Sequence, residues 1–173
     1  MLLGMSLQTF TTVHVIITLI AISTSFVVMG GMVANKPLPG WTAICLLFTV
    51  LTSVTGFMFP FSGFTPAIGT GIISSVLLIA ALIALYAKHL AGAWRWLYVT
   101  TAVAAFWFNF FVLIVQSFEK LPVLNAAAPM VGPPFAEPVN THFIVAQAVA
   151  LLAFIGIGIL GAIKFRPAGS LPA

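Results

Sequence analysis

The chain has 173 residues, 62% of them hydrophobic and 5% charged, and its mean hydropathy is +1.23. Soluble domains carry about 25% charged residues, so this composition excludes a water-dispersed globule and makes lipid the solvent. The formal charge of +4 comes from six basic and two acidic residues placed singly or in pairs, which excludes the clustered basic surface that a nucleic-acid partner needs.

The chain opens on MLLGMSLQTFTT (1–12), which lacks the positive charge of a secretory leader. The apolar run behind it outlasts an h-region and is expected to stay as a first span. Crossing a bilayer core takes about 20 residues of helix. Five runs meet that length: 12–34, 41–61, 66–87, 95–116 and 142–164. NKPLPG (35–40), FSGFTP (61–66) and KHLAGAWR (88–95) punctuate them as turns. A spanning barrel would need many more, shorter strands. The fold expected is all-α, a single-domain bundle of five transmembrane helices.

With five spans, Lys36, Lys88, Arg95, Lys164 and Arg166 fall on one side and Lys120 on the other. The positive-inside rule then sets the C-terminus in the cytoplasm and the N-terminus outside. Trp41, Tyr86, Trp94, Trp96 and Tyr98 lie near the same boundary, as an aromatic belt does. Residues 117–141 form the long outer connection, rich in proline and poor in charge. That composition predicts a cap folded onto the bundle, with Phe57, Phe59, Phe61 and Phe64 as its floor.

The chain has no aspartate, and its carboxylates, Glu119 and Glu137, lie at or beyond the membrane edge. Ion-coupled transporters place ionisable groups inside their spans, so an active transporter is disfavoured. Asn109, Gln116 and Glu119 fall on one helical stripe of the fourth span. Such a stripe lines a path for an uncharged solute, or it bonds neighbouring helices at about 0.6 kcal/mol per amide. His14 and His142 both stand at the outer end. They are candidate axial ligands of haem b, or ligands of copper or zinc with Glu119 or Glu137 assisting. The alternative is that each is hydrogen-bonded at the membrane boundary, with Asn140 and Thr141 capping the fifth span. His89, beside Lys88, reads as an interfacial residue.

Cys45 is the single cysteine, which excludes an intrachain disulfide and a CxxC centre. Gly30, Gly31, Gly69, Gly71, Gly156, Gly158 and Gly161 permit close helix packing, within the chain or with another. GxSxG, HExxH, Walker and GxGxxG motifs are absent from the sequence.

LTSVTGFMFPF (51–61), AGAWRWLYV (91–99) and NFFVLIVQSFEKLPVL (109–124) resemble a group of small bacterial multispanning membrane proteins with no assigned activity. The resemblance implies the bacterial inner membrane and brings no ligand, cofactor or catalytic residue. The expectation is a multi-pass inner-membrane protein without catalytic function, a scaffold or small subunit. Its partners are the lipid bilayer and another membrane protein or a second copy. The alternatives are a redox or metal protein built on His14 and His142, and a solute channel built on Asn109, Gln116 and Glu119.

Overall fold

The computed structural model describes residues 4–60, 66–127 and 141–167. They form helices α1 (Leu7–Val33), α2 (Pro39–Phe57), α3 (Pro66–Leu82), α4 (Ala93–Lys120), α5 (Pro122–Ala127) and α6 (Thr141–Lys164). A π-helical turn, Ile83–Ala87, continues α3. Five of these elements are long and apolar enough to cross a membrane: α1, α2, α3 with its π turn, α4 and α6. The all-α membrane bundle expected from hydropathy is therefore the observed fold.

The bounds differ from the hydropathy reading for local reasons. The first helix begins at Leu7 because Ser6 caps it, its Oγ accepting from the Thr9 N–H at 3.1 Å. Thr11 and Thr12 then return their hydroxyls to the carbonyls of Leu7 and Gln8, which carries polar residues in helical form. The fourth helix runs on to Lys120, where Ser117 donates to Leu113 O and Gln116 to Glu119. Part of the expected cap loop is thus helix, and Pro122–Ala127 adds a short helix of its own. Leu124 packs on Val115, Phe118 and Phe143, and Asn125 Nδ2 donates to Phe118 O at 3.2 Å. Residues 128–140 of the expected cap, and Phe61 and Phe64 of its expected floor, lie outside the described residues.

Antiparallel pairs α1–α2, α3–α4 and α4–α6 build the bundle, and α6 also lies along α1. Ala81 on α3, Ala84 in the π turn, and Ala102 and Ala105 on α4 are all fully buried. Such small residues let the backbones approach closely where lipid supplies no hydrophobic drive of its own. Gly161 does the same on α6, where an added Cβ would stand 3.2 Å from Val99 Cγ1 and 3.5 Å from Met32 Cβ. The larger core joins α1, α2, α3, α4 and α6 around Met32, Leu46, Leu78, Tyr98 and Phe154. A smaller one, Val115, Phe118 and Phe143, closes the opposite end.

On α2, three threonines and a serine bond back to their own helix. Thr49, Thr52, Ser53 and Thr55 each donate to the carbonyl four residues earlier, so their hydroxyls are satisfied within one helix. Outward stripes are apolar: Ile72, Val76, Ile79 and Ile83 on one side, Val145, Val149, Leu152, Ile159 and Ile163 on α6.

Candidate functional site

Three places carry polar or titratable side chains in arrangements that bear on function. The first surrounds His14. Its Nδ1 lies 2.7 Å from Thr55 Oγ1, and the Thr55 hydroxyl already donates to Leu51 O at 2.7 Å. A hydroxyl has one proton to give, so the imidazole is the donor. With the Thr55 proton on Leu51 O, His14 donates through Nδ1–H, the ring orientation that turns Nε2 away from Thr55. The ring sits edge-on to Phe59 at 5.2 Å, and Phe59 meets Phe10 at 5.0 Å.

His142, the second residue of α6, is exposed. Phe26 meets Phe154, and Met32 abuts Gly161. Extending that parallel register of α1 and α6 sets His14 and His142 at one depth. The side chains still have different surroundings, because His14 turns toward α2. Among the described residues, no group of three His, Cys, Asp or Glu side chains converges. Glu137 and Asn140 lie outside the described residues. Replacing Thr55 by Val is expected to cost about 1–2 kcal/mol, because it leaves the imidazole N–H unpaired. The double variant His14→Leu/Thr55→Val should recover part of that loss, and thermal unfolding of Thr55→Val, His14→Leu and the double variant in detergent measures the coupling.

The second place is the amide stripe of α4. Gln116 Nε2 donates to Glu119 Oε2 at 3.1 Å near the surface. Asn109 lies deeper, at 9% exposure, on the part of α4 that buries Ala102 and Ala105. The two ends of the stripe are not bonded to each other. Sequence reading missed a third amide, Gln147, which is buried on α6 and donates from Nε2 to Phe111 O at 3.1 Å. Its signal was available: it is the one amide side chain between His142 and Lys164. Gln147 Oε1 and Trp107 Nε1 are buried without a partner among the described residues, both close to Phe111. Gln147→Met is expected to stay within about 0.6 kcal/mol of the parent, since losing the bond also removes an unpaired carbonyl. The same unfolding measurement checks it.

The third place is the end where five basic residues gather. Arg95 is 8% exposed, and its Nη1 donates to the carbonyls of Ala162 at 2.8 Å and Phe165 at 2.7 Å. α1 ends there in a Schellman motif. Asn35 adopts φ 54°, Lys36 N–H reaches Gly31 O at 2.8 Å, and Asn35 N–H reaches Met32 O at 3.3 Å. Asn35 Oδ1 also accepts the Arg166 N–H at 2.7 Å, which ties the end of α6 to the end of α1. Across from these, Lys88 N–H bonds Ile83 O to close the π turn, and His89 and Leu90 take φ of 48° and 59°.

Between these irregular ends lies a cavity of about 160 Å³. Val28, Met32, Leu85, Leu90 and Phe165 form its apolar wall, and Lys36, Thr42, Tyr86 and Tyr98 supply its polar groups. Tyr98 is 1% exposed, with its hydroxyl against the Thr42 side chain. In the sequence, 35–40 and 88–95 are separators between spans. Nothing in either stretch alone shows that both fold onto one recess.

The fold and these sites define a multi-pass α-helical membrane protein. No family model, no curated protein and no solved structure matches the chain.

Proposed function

We propose that the protein is a scaffold or small subunit of an assembly in the bacterial inner membrane, seated with its basic end in the cytoplasm. The five-to-one placement of basic residues supports that orientation, and the resemblance of residues 51–61, 91–99 and 109–124 supports the bacterial setting. The observation that carries the subunit reading is the outward face of α6. Val145, Val149, Leu152, Ile159 and Ile163 form an exposed helical stripe, and Gly156 stands in its middle with nothing within 4 Å of an added Cβ. A glycine there does no packing work inside the chain. In lipid it admits the backbone of another helix. The polar side chains meanwhile serve the bundle itself, as His14 on Thr55, Gln147 on Phe111 O and Arg95 on the end of α6 do.

A photo-crosslinking residue at Leu152 is expected to capture a protein neighbour in native membranes, and Gly156→Leu should abolish the adduct while leaving the bundle folded. The same probe at Val76, on the outward face of α3, should capture lipid. If Leu152 also gives lipid adducts alone, the reading fails.

A second reading is favoured by the His14–Thr55 hydrogen bond. A histidine whose Nδ1–H is fixed by a hydrogen bond presents Nε2 as metal and haem ligands do. His14 would then be one ligand of a haem b or a copper or zinc ion, with His142 at the same depth as its candidate partner. An absorption spectrum and metal analysis of protein purified from its own membranes decide between the two readings. A Soret band or stoichiometric metal, lost in His14→Ala, would establish the second.

A further inference from the structure

We propose that the cavity at the basic end binds one anionic phospholipid, with its phosphate on Lys36 and the first carbons of one acyl chain in the recess. The lining is divided as such a ligand requires. Val28, Met32, Leu85, Leu90 and Phe165 make an apolar floor, whereas Lys36 and Pro37 are exposed at the rim. Arg166 is exposed and adds positive charge nearby. It lies between Phe165 and Pro167, which both line the cavity, and its N–H is fastened to Asn35, the neighbour of Lys36.

Charge selects the headgroup. Lys36, Lys88, Arg95, Lys164 and Arg166 all belong to segments at this end, and no acidic side chain among the described residues does. Glu119 closes α4 at the opposite end. Basic recesses between helices at headgroup depth are where phosphate-bearing lipids seat. Tyr98 and Thr42, hydroxyl against hydroxyl, add polar groups to the lining.

Size fixes how much of the lipid enters. A cavity of about 160 Å³ holds about five water-sized groups at ~30 Å³ each. That accepts the start of one chain and no more, and the remainder runs out past the exposed ring of Tyr86 along the lipid-facing surface. The recess is also built from unusual backbone. A π turn places Leu85 and Tyr86, and Leu90 buries its side chain while held at φ 59°. π turns and left-handed non-glycine residues gather at ligand sites, where surrounding structure holds the strain.

The test uses the full chain in phosphatidylcholine nanodiscs, with phosphatidylglycerol of the same chain length as the probe and native mass spectrometry as the readout. One phosphatidylglycerol per chain should persist under conditions that strip phosphatidylcholine. Lys36→Gln should weaken its retention about fivefold, and Lys36→Arg should restore it. Leu85→Phe, which fills the floor, should weaken it as well, and its lipid-free unfolding midpoint should match the parent's. Millimolar inorganic phosphate should not displace the lipid. Equal retention of both lipids, no effect of Lys36→Gln, or displacement by phosphate alone would each overturn the proposal.

Discussion

Arg95→Leu is expected to destabilise the bundle by about 3 kcal/mol, with the loss concentrated where α6 ends. The Ala162 carbonyl belongs to the last turn of α6 and the Phe165 carbonyl follows directly, so neither lies deep inside the helical ladder. Both accept from Arg95 Nη1, at 2.8 and 2.7 Å. Hydrogen bonds to a charged group contribute about 1.5–3 kcal/mol each, and a cation at a helix C-terminus also meets the negative end of the dipole. Against this stands the cost of burying a guanidinium, which removal of the charge would relieve. The guanidinium also lies over the Trp96 ring at 4.7 Å, an arrangement that partly offsets that cost. Arg95→Lys keeps the charge on one nitrogen with a shorter reach, so it should lose roughly half as much. Thermal unfolding in detergent and proteolysis near residue 164 measure both. A parent-like Arg95→Leu would show that α6 ends stably without this contact.

Hydropathy was sufficient for five spans because burial in lipid imposes helix wherever apolar length permits. It failed at the edges, where hydrogen bonds rather than hydropathy set the bounds. Ser6 and Thr9 extend α1 through polar residues, and the Gln116–Glu119 bond accompanies α4 past its last apolar run. The partners of the candidate residues were illegible for a different reason. Arg95 bonds carbonyls 67 and 70 positions away, and His14 bonds a side chain 41 positions away. Local spacing carries no trace of such pairs. In the sequence Arg95 is one charge among five at a boundary, and His14 and His142 share only their place at the outer end. The recess at the basic end is the extreme case, since its lining comes from α1, the 36–39 turn, α2, the π turn, α4 and the residues after α6. The turn chemistry was legible in part: Asn before Lys-Pro suits a left-handed helix end, and Pro39 opens α2 as prolines do.

Gly30 and Gly31 stand side by side in the last turns of α1, yet alanine at the two positions is expected to have opposite effects. At Gly30 an added Cβ has nothing within 4 Å, so the helix gains the usual advantage of alanine over glycine, up to about 1 kcal/mol. At Gly31 the same atom would stand 2.8 Å from the Lys36 carbonyl oxygen and 2.9 Å from Leu38 Cδ1. The leucine methyl can rotate away. The carbonyl is backbone, and moving it pulls on the Lys36 N–H···O bond to Gly31 that closes the Schellman motif. Overpacking of about 1–3 kcal/mol and a weakened hydrogen bond of about 1 kcal/mol exceed the propensity gain, leaving a net loss of about 2 kcal/mol. Cys45 supplies the readout, because it is fully buried with its thiol against Ala21 of α1. A membrane-permeant maleimide reaches it only when α1 and α2 separate. At about 1.4 kcal/mol per tenfold, Gly31→Ala should label roughly thirtyfold faster than the parent if opening equilibrates ahead of reaction. Gly30→Ala should label no faster than the parent. Equal labelling of the two alanine variants would mean that the turn after α1 yields without cost, and that the close approach at Gly31 does not hold the first two spans together.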